Sequence, residues 1–197
     1  MSAKRMRIYL TGVGGQGTLT ATTLLAGIAL DEGLDVTSGE IHGMAQRGGV
    51  VESTVLIGGW KSPSITHGEA DLILGFEPME TLRALPYLAP GGVVLSGLDP
   101  VPSPGISAGR EQYPDLEMII KKTKAAASKA WFIPSRKLGL EAGSIQSGNL
   151  SLIGAMCAVE AGPFDLDALK RGIKKHLSPK LVEVNLKAVE LGVLAVK

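Results

Sequence analysis

The stretch Thr11-Gly12-Val13-Gly14-Gly15-Gln16-Gly17 follows the apolar run Arg7-Ile8-Tyr9-Leu10 and leads into an Ala/Leu/Thr-rich segment that runs to Glu32. Four glycines in seven positions suit a backbone that turns sharply or comes very close to something else, because glycine alone enters positive φ without strain. Strand, glycine turn and helix in that order are the opening of a βαβ unit, and this commits the chain to an α/β layer architecture.

The rest of the chain repeats the alternation. The patterning predicts strands at 6–11, 34–38, 50–58, 70–75, 93–96 and 131–133, and helices at about 16–32 (ended by Gly33), 78–88, 114–130, 149–161, 165–176 and 179–191. Pro90-Gly91-Gly92 reads as a turn, and the Pro- and Gly-rich residues 98–110 as an exposed connection within one domain. The expected fold is a three-layer α/β/α arrangement around a mostly parallel sheet, with a Rossmann-like βαβ start and a helical C-terminal third. At 197 residues the expectation is a single domain, 1–197, with a substantial core.

Composition removes several function classes. A formal net charge of +1 gives no field that favours nucleic acid or an anionic membrane. The basic start, Met1 to Arg7, runs into a strand and not into a signal-peptide core, and no run of 18 apolar residues follows, so a cytoplasmic protein without a membrane segment is expected. The single cysteine, Cys157, lies in the apolar run Leu152 to Val159. One thiol makes no intrachain disulfide, structural zinc site or iron–sulfur cluster, and apolar neighbours suit a buried core residue better than a nucleophile. Hydrophobic residues make up 45% of the chain, which leaves apolar surface for another protein.

Gly12, Gly14 and Gly17 satisfy the spacing G-x-G-x-x-G between a strand and a helix, where free N–H groups favour an anion. The dinucleotide form of this fingerprint also needs an acid at the end of the second strand. About 20 residues on, the chain offers Val36-Thr37-Ser38-Gly39, with Glu40 just beyond. NAD or FAD, another phosphate or partner contact, and a purely structural turn all remain open on these residues. A second glycine-rich loop, residues 39–51 (GEIHGMAQRGGVV), carries His42, Gln46, Arg47, Gly48 and Gly49. Arg47 offers a planar donor fork for carboxylate or phosphate, and His42 titrates near neutrality. The plain alternative is a loop-bound histidine and a surface ion pair.

Together, GVGGQG and HGMAQRGG resemble the gamma-type subunits of the 2-oxoacid:ferredoxin oxidoreductases, and the second string is similar to the beta subunit of the indolepyruvate:ferredoxin branch. The resemblance continues through Ala70-Asp71-Leu72-Ile73-Leu74-Gly75-Phe76-Glu77-Pro78, Ser147-Gly148-Asn149, Asn185 and Gly192, and so spans nearly the whole chain. It implies a subunit that is not catalytic alone, in a complex converting a 2-oxo acid and CoA to acyl-CoA, CO2 and reduced ferredoxin. Thiamine diphosphate, Mg, iron–sulfur clusters and CoA are then expected through a large partner subunit, with ferredoxin contacted indirectly. This chain lacks both a cluster cysteine set and a Gly-Asp-Gly to Asn-Asn stretch for the Mg-diphosphate.

On that reading no residue is catalytic and none holds a metal. The residues expected to bind cofactor, or anions of the substrate and CoA region, are Gly12, Gly14, Gly15, Gln16, Gly17, His42, Gln46, Arg47, Gly48, Gly49 and Asn149. The two loops should share the sheet's carboxyl edge, with Arg47 as one anion site and the backbone amides of Gly14 to Thr18 as another. A stand-alone Rossmann-type NAD(P)- or flavin-binding oxidoreductase is the main alternative, and a regulatory module a third.

Other residues fit structural roles. Glu77 suits a helix start and Asn149 an N-cap. Lys121, Lys122, Lys124 and Lys129 suit a solvated helix face, and Lys170, Arg171, Lys174, Lys175 and His176 a helix C-terminus. Met44, Met79, Met118 and Met156 suit gap filling, whereas Trp60 and His67 are candidate partner contacts.

Overall fold

Six strands form one sheet in the order β2-β3-β1-β4-β5-β6. The computed structural model describes residues 5–42, 49–110 and 112–197, with His42 and Pro104 described by their backbone. The strands are β1 (Met6–Val13), β2 (Val36–His42), β3 (Val50–Ile57), β4 (Ala70–Gly75), β5 (Leu88–Gly97) and β6 (Lys129–Ile133). The helices are α1 (Thr18–Asp31), α2 (Pro78–Ala84), α3 (Pro104–Ser107), α4 (Leu116–Ala126), α5 (Ser135–Ala142), α6 (Gly148–Ala158), α7 (Leu166–His176) and α8 (Pro179–Leu194).

The α/β class, the mostly parallel sheet and the helical C-terminal third agree with expectation. Strands β1, β4, β5 and β6 pair in parallel, and β3 alone runs against its neighbours. The βαβ start is present, with β1 and β2 running the same way and α1 between them in the chain. A simple unit places its second strand beside the first, whereas here β3 inserts between β1 and β2 and is antiparallel to both. Antiparallel pairing of β2 with β3, the next strand in the chain, sets this order.

One face of the sheet carries α1 and the C-terminal helices over Ile8, Leu10, Val55, Leu72, Leu74 and Leu95. The other carries α2, α4 and the segment around Trp60 and Ile65 over Tyr9, Leu56, Ile73 and Val94. Strand β4 is buried on both sides from Leu72 to Leu74 and reads there as a continuous apolar run after Asp71.

Several boundaries differ for identifiable reasons. The helix expected over 78–88 ends at Ala84 and continues as a 3₁₀ turn, Leu85–Tyr87, because Pro86 has no N–H to donate back along the helix. Pro90-Gly91-Gly92 lies inside β5 as a bulge, where the pairing shifts between Ala70 and Leu72 and Gly91 takes φ 83°. Helix α4 begins at Leu116, capped by Asp115, and stops at Ala126, which puts Lys129 on β6 and not on the helix face. Helix α5 and the 3₁₀ turn Ile145–Ser147 occupy residues to which the pattern assigns nothing.

The lysines 121, 122 and 124 are exposed as expected. The basic end of α7 does more than face water. Lys175 and His176 both reach Asp31 and Arg171 reaches Glu32, which ties α7 to the end of α1. Lys175 and then His176 hold the Asp31 carboxyl below its ordinary range by hydrogen bonding to its charged form. Cys157 is a core residue, and burial, with Asp165 adding to it, pushes its thiol up to about 12.

Helices α6 and α8 meet backbone to backbone. A Cβ at Gly154 would sit 2.4 Å from the Val189 carbonyl oxygen, and one at Gly192 only 1.9 Å from that of Ser151. Gly192→Ala is therefore expected to cost about 1–3 kcal/mol in denaturant unfolding, as overpacking does, whereas Leu194→Ala at an exposed position should change stability by less than about 0.5 kcal/mol. At pH 8 the native thiol should resist an alkylating reagent, and it should react quickly once the chain is unfolded.

Candidate functional site

The turn after β1 is fixed by Gln16. Its Oε1 accepts the Val13 N–H at 2.8 Å, its Nε2 donates to the Phe76 carbonyl at 3.0 Å, and its own N–H returns to Val13 at 3.1 Å. The side chain thus bridges the ends of β1 and β4. Gly12 is glycine for this reason, since a Cβ there would lie 2.9 Å from Gln16 Oε1 and 3.1 Å from both Phe76 Cβ and Thr18 Oγ1. Gln16, expected among the cofactor- or anion-binding residues, is here a structural clamp.

Gly15 and Gly17 take φ 99° and 80°, conformations that favour glycine. Gly17 is the N-cap of α1 with no side chain to satisfy the helix start. A Cβ at Gly17 would fall 2.4 Å from Asn149 Nδ2, and that amide instead donates to the Gly17 carbonyl at 3.2 Å. Asn149 is therefore not the N-cap of α6, a position that Ser147 holds without a side-chain bond. It is a strut between the first turn of α6 and the glycine loop. Beside Gly15 a Cβ would meet nothing within 4 Å, so this backbone faces open space.

The second glycine loop meets the first. Gly14 donates its N–H to the Gly49 carbonyl at 2.9 Å, and His42, Val51 and Gly12 lie side by side across β2, β3 and β1. Gln46, Arg47 and Gly48, like Met44, fall outside the described residues. Because the Gly14 and Gln16 amides are bonded internally, the amides left for an anion, among the described residues, are those of Gly15, Gly17 and the first turn of α1.

These elements wall two adjoining cavities that share Gly14, Gly15, Gln146 and Asn149. The larger, about 470 Å³, lies between the starts of α1 and α6 and is closed by Leu19, Leu177, Leu181 and Asn185. No acidic side chain lines it among the described residues. The smaller, about 260 Å³, extends past Phe76 to Asp99, Ser135 and Arg136. The start of α1, which has no side-chain cap, makes an environment that prefers negative charge, whereas α6 continues from the 3₁₀ turn, with the Gly148 N–H bonded to the Ile145 carbonyl. Buried inside the cleft, Thr18 Oγ1 and Asn149 Oδ1 have no hydrogen-bond partner among the described residues. Sequence reasoning does not single out Thr18, Asp99, Ser135, Arg136 or Gln146 as side chains of a site. A helix starting Ser135-Arg136-Lys137, with cations where acids are usual, is the signal that could have found it.

Glu77 has the structural role expected of it, and more. Buried to 1% exposure, it accepts from the Glu80 and Val101 N–H groups and from the Tyr113 hydroxyl, which anchors Val101 and Tyr113 beside α2. Burial, and then Glu77, hold the Tyr113 phenol far above its usual range, while burial also raises Glu80 despite its contact with Arg83. His67 stacks edge-on against Tyr87, and Trp60 packs on the second core between Arg5 and Arg7.

A family model described as pyruvate ferredoxin/flavodoxin oxidoreductase matches residues 7–195. The chain belongs to this family. It is 41% identical to the indolepyruvate oxidoreductase subunit IorB of Pyrococcus horikoshii, over 98% of this chain and 97% of that one. The family's fold recurs in the solved pyruvate oxidoreductase subunit PORC of Thermotoga maritima, with a TM-score of 0.74 at 22% identity, covering 98% of each chain. It recurs again as part of the 2-oxoglutarate:ferredoxin oxidoreductase of Magnetococcus marinus, where the TM-score is 0.71 at 18% identity over 98% of this chain and 31% of that one.

Removal of the clamp should show in stability. Gln16→Ala leaves the buried Val13 N–H without its acceptor and is expected to cost about 1–3 kcal/mol, measured by denaturant unfolding; an unchanged midpoint would count against the clamp.

Proposed function

We propose that this chain is the small subunit of an indolepyruvate-type 2-oxoacid:ferredoxin oxidoreductase, one domain whose glycine-loop cleft completes a site on a large partner subunit. The reaction would convert a 2-oxo acid and CoA to acyl-CoA, CO2 and reduced ferredoxin. The observation that carries this reading is end-to-end similarity to the IorB subunit at 41% identity. The cleft supports it: an uncapped helix start and a glycine loop prepare a place for anions, and among the described residues no acidic side chain lines the larger cavity.

Electron carriage and thiamine chemistry are assigned to the partner. The residues of this chain do not fit cluster ligation, because its one cysteine is buried and held as the thiol. No three His, Cys, Asp or Glu side chains among the described residues are grouped as metal ligands. No described helix is long and apolar enough to cross a membrane, and a cytoplasmic complex is proposed.

On this reading Gly12 and Gln16 shape the loop, Gly15, Gly17 and Asn149 line the anion cradle, and His42, Gln46, Arg47, Gly48 and Gly49 of the second loop are proposed to bind the same ligand. A stand-alone dinucleotide enzyme is disfavoured by the topology. With β3 between β1 and β2, an acid on β2 is one strand too far from the Gly12–Gly17 turn to hold the ribose of a nucleotide seated there.

The test is reconstitution with the large subunit and assay of acyl-CoA formation with arylpyruvates. Arg47→Ala is expected to assemble normally and to raise KM for CoA or the oxo acid by roughly tenfold, the scale of one lost charge-assisted contact. Unchanged kinetics would remove Arg47 from the site. Full turnover by the large subunit alone would overturn the proposal.

A further inference from the structure

The cleft has a cation at its second end that neither the glycine loops nor the family reading accounts for. Arg136 is the second residue of α5 and lines the smaller cavity together with Gly15, Gly148 and Asn149. A cation is electrostatically disfavoured in the first turn of a helix. Here Lys137 follows it, and no acid lies in that turn. Asp99 is close, yet its carboxylate is directed at the helix start, accepting the Arg136 N–H at 2.7 Å and the Ser135 hydroxyl at 3.3 Å. The Arg136 guanidinium itself makes no ion pair with a described residue.

Two further observations point to a ligand. Asn149 is only 7% exposed, lines both cavities, and carries an unpartnered Oδ1. That buried acceptor requires a donor to complete it. Thr18 Oγ1, buried at the start of α1 where it lines the larger cavity, has no partner either among the described residues. The cleft thus offers an amide cradle at α1, an acceptor in the middle, and a full positive charge at the far end.

We propose that Arg136 is a specificity-determining residue that holds a second phosphate group of the ligand whose first phosphates lie at the α1 cradle. This rests on the reading of the cleft as the CoA region. In CoA the diphosphate sits between neutral linkages and suits backbone amides, whereas the 3′-phosphate is a terminal group of nearly two charges. A planar guanidinium at the cleft's edge matches such a group bidentately.

The experiment uses the assembled complex, with CoA and 3′-dephospho-CoA compared by steady-state kinetics and by calorimetric binding. Arg136→Ala is expected to raise KM and Kd for CoA roughly tenfold, to leave those for 3′-dephospho-CoA unchanged, and to leave kcat unaltered. Arg136→Lys should recover part of the loss. Adenosine 3′,5′-bisphosphate should compete with CoA on the native complex and lose that ability in Arg136→Ala. Because Arg136 is exposed, the melting temperature should not move. Equal effects on both coenzymes, or none on either, would overturn the assignment of Arg136 while the CoA reading stands. A native complex that binds neither coenzyme would overturn the reading itself.

Discussion

The side-chain amide of Gln16 is the contact on which the carboxyl edge of the sheet depends. By accepting from Val13 and donating to Phe76, it joins the ends of β1 and β4 before either continues into its helix. It occupies the space that a side chain at position 12 would need, so Gly12 and Gln16 form one unit. With the turn fixed, Gly17 can leave β1 in the left-handed region and start α1 with its amides facing outwards. The glycine pattern thus has three separate causes: a packing constraint at Gly12, open backbone at Gly15, and an αL helix start pressed against Asn149 at Gly17.

That division explains what could be read from the sequence. The strand–turn–helix opening, the buried β4 and the helical C-terminal third follow from local patterns of apolar residues and glycine, and they appear as expected. The insertion of β3 was not legible, because strand order is decided by pairing between distant segments and not by local pattern. The bulge at Pro90-Gly91-Gly92 was hidden for a related reason: the same residues serve a turn or an irregular strand, and pairing with β4 decides. Helix α5 escapes the pattern because Gly139 lowers its helical signal, yet there glycine allows a close approach to Gly148 and Ser144.

The candidate site divides along the same line. Its backbone part, the glycine loops, was visible as composition. Its side-chain part was not, because Arg136 lies more than 100 residues from the first loop and joins it only through the packing of α5 and α6. Asn149 was visible as a residue before a helix, but its bond to Gly17 spans 132 positions and could not be read from spacing. The small-residue contacts that let α8 lie directly on α6 hold α6 in place, and α6 in turn places Asn149.

The remaining wall of the cleft is set from the opposite end of α1. Asp31 and Glu32, at the close of that helix, hold Lys175 and His176 at the close of α7 and Arg171 one turn earlier. The residue after His176 is Leu177, which lines the larger cavity beside Leu19. One rigid helix therefore carries the anion cradle at its first turn and the latch for the cavity's apolar wall at its last. Each contact in the latch is solvent-accessible and individually weak, but Lys175, Arg171 and the His176 ring converge on two adjacent carboxylates, so the end of α7 is positioned by a network. Apolar wall, amide cradle and cationic edge are thereby assembled from helices that start or end at the same rim, while the sheet beneath supplies the fixed spacing between them.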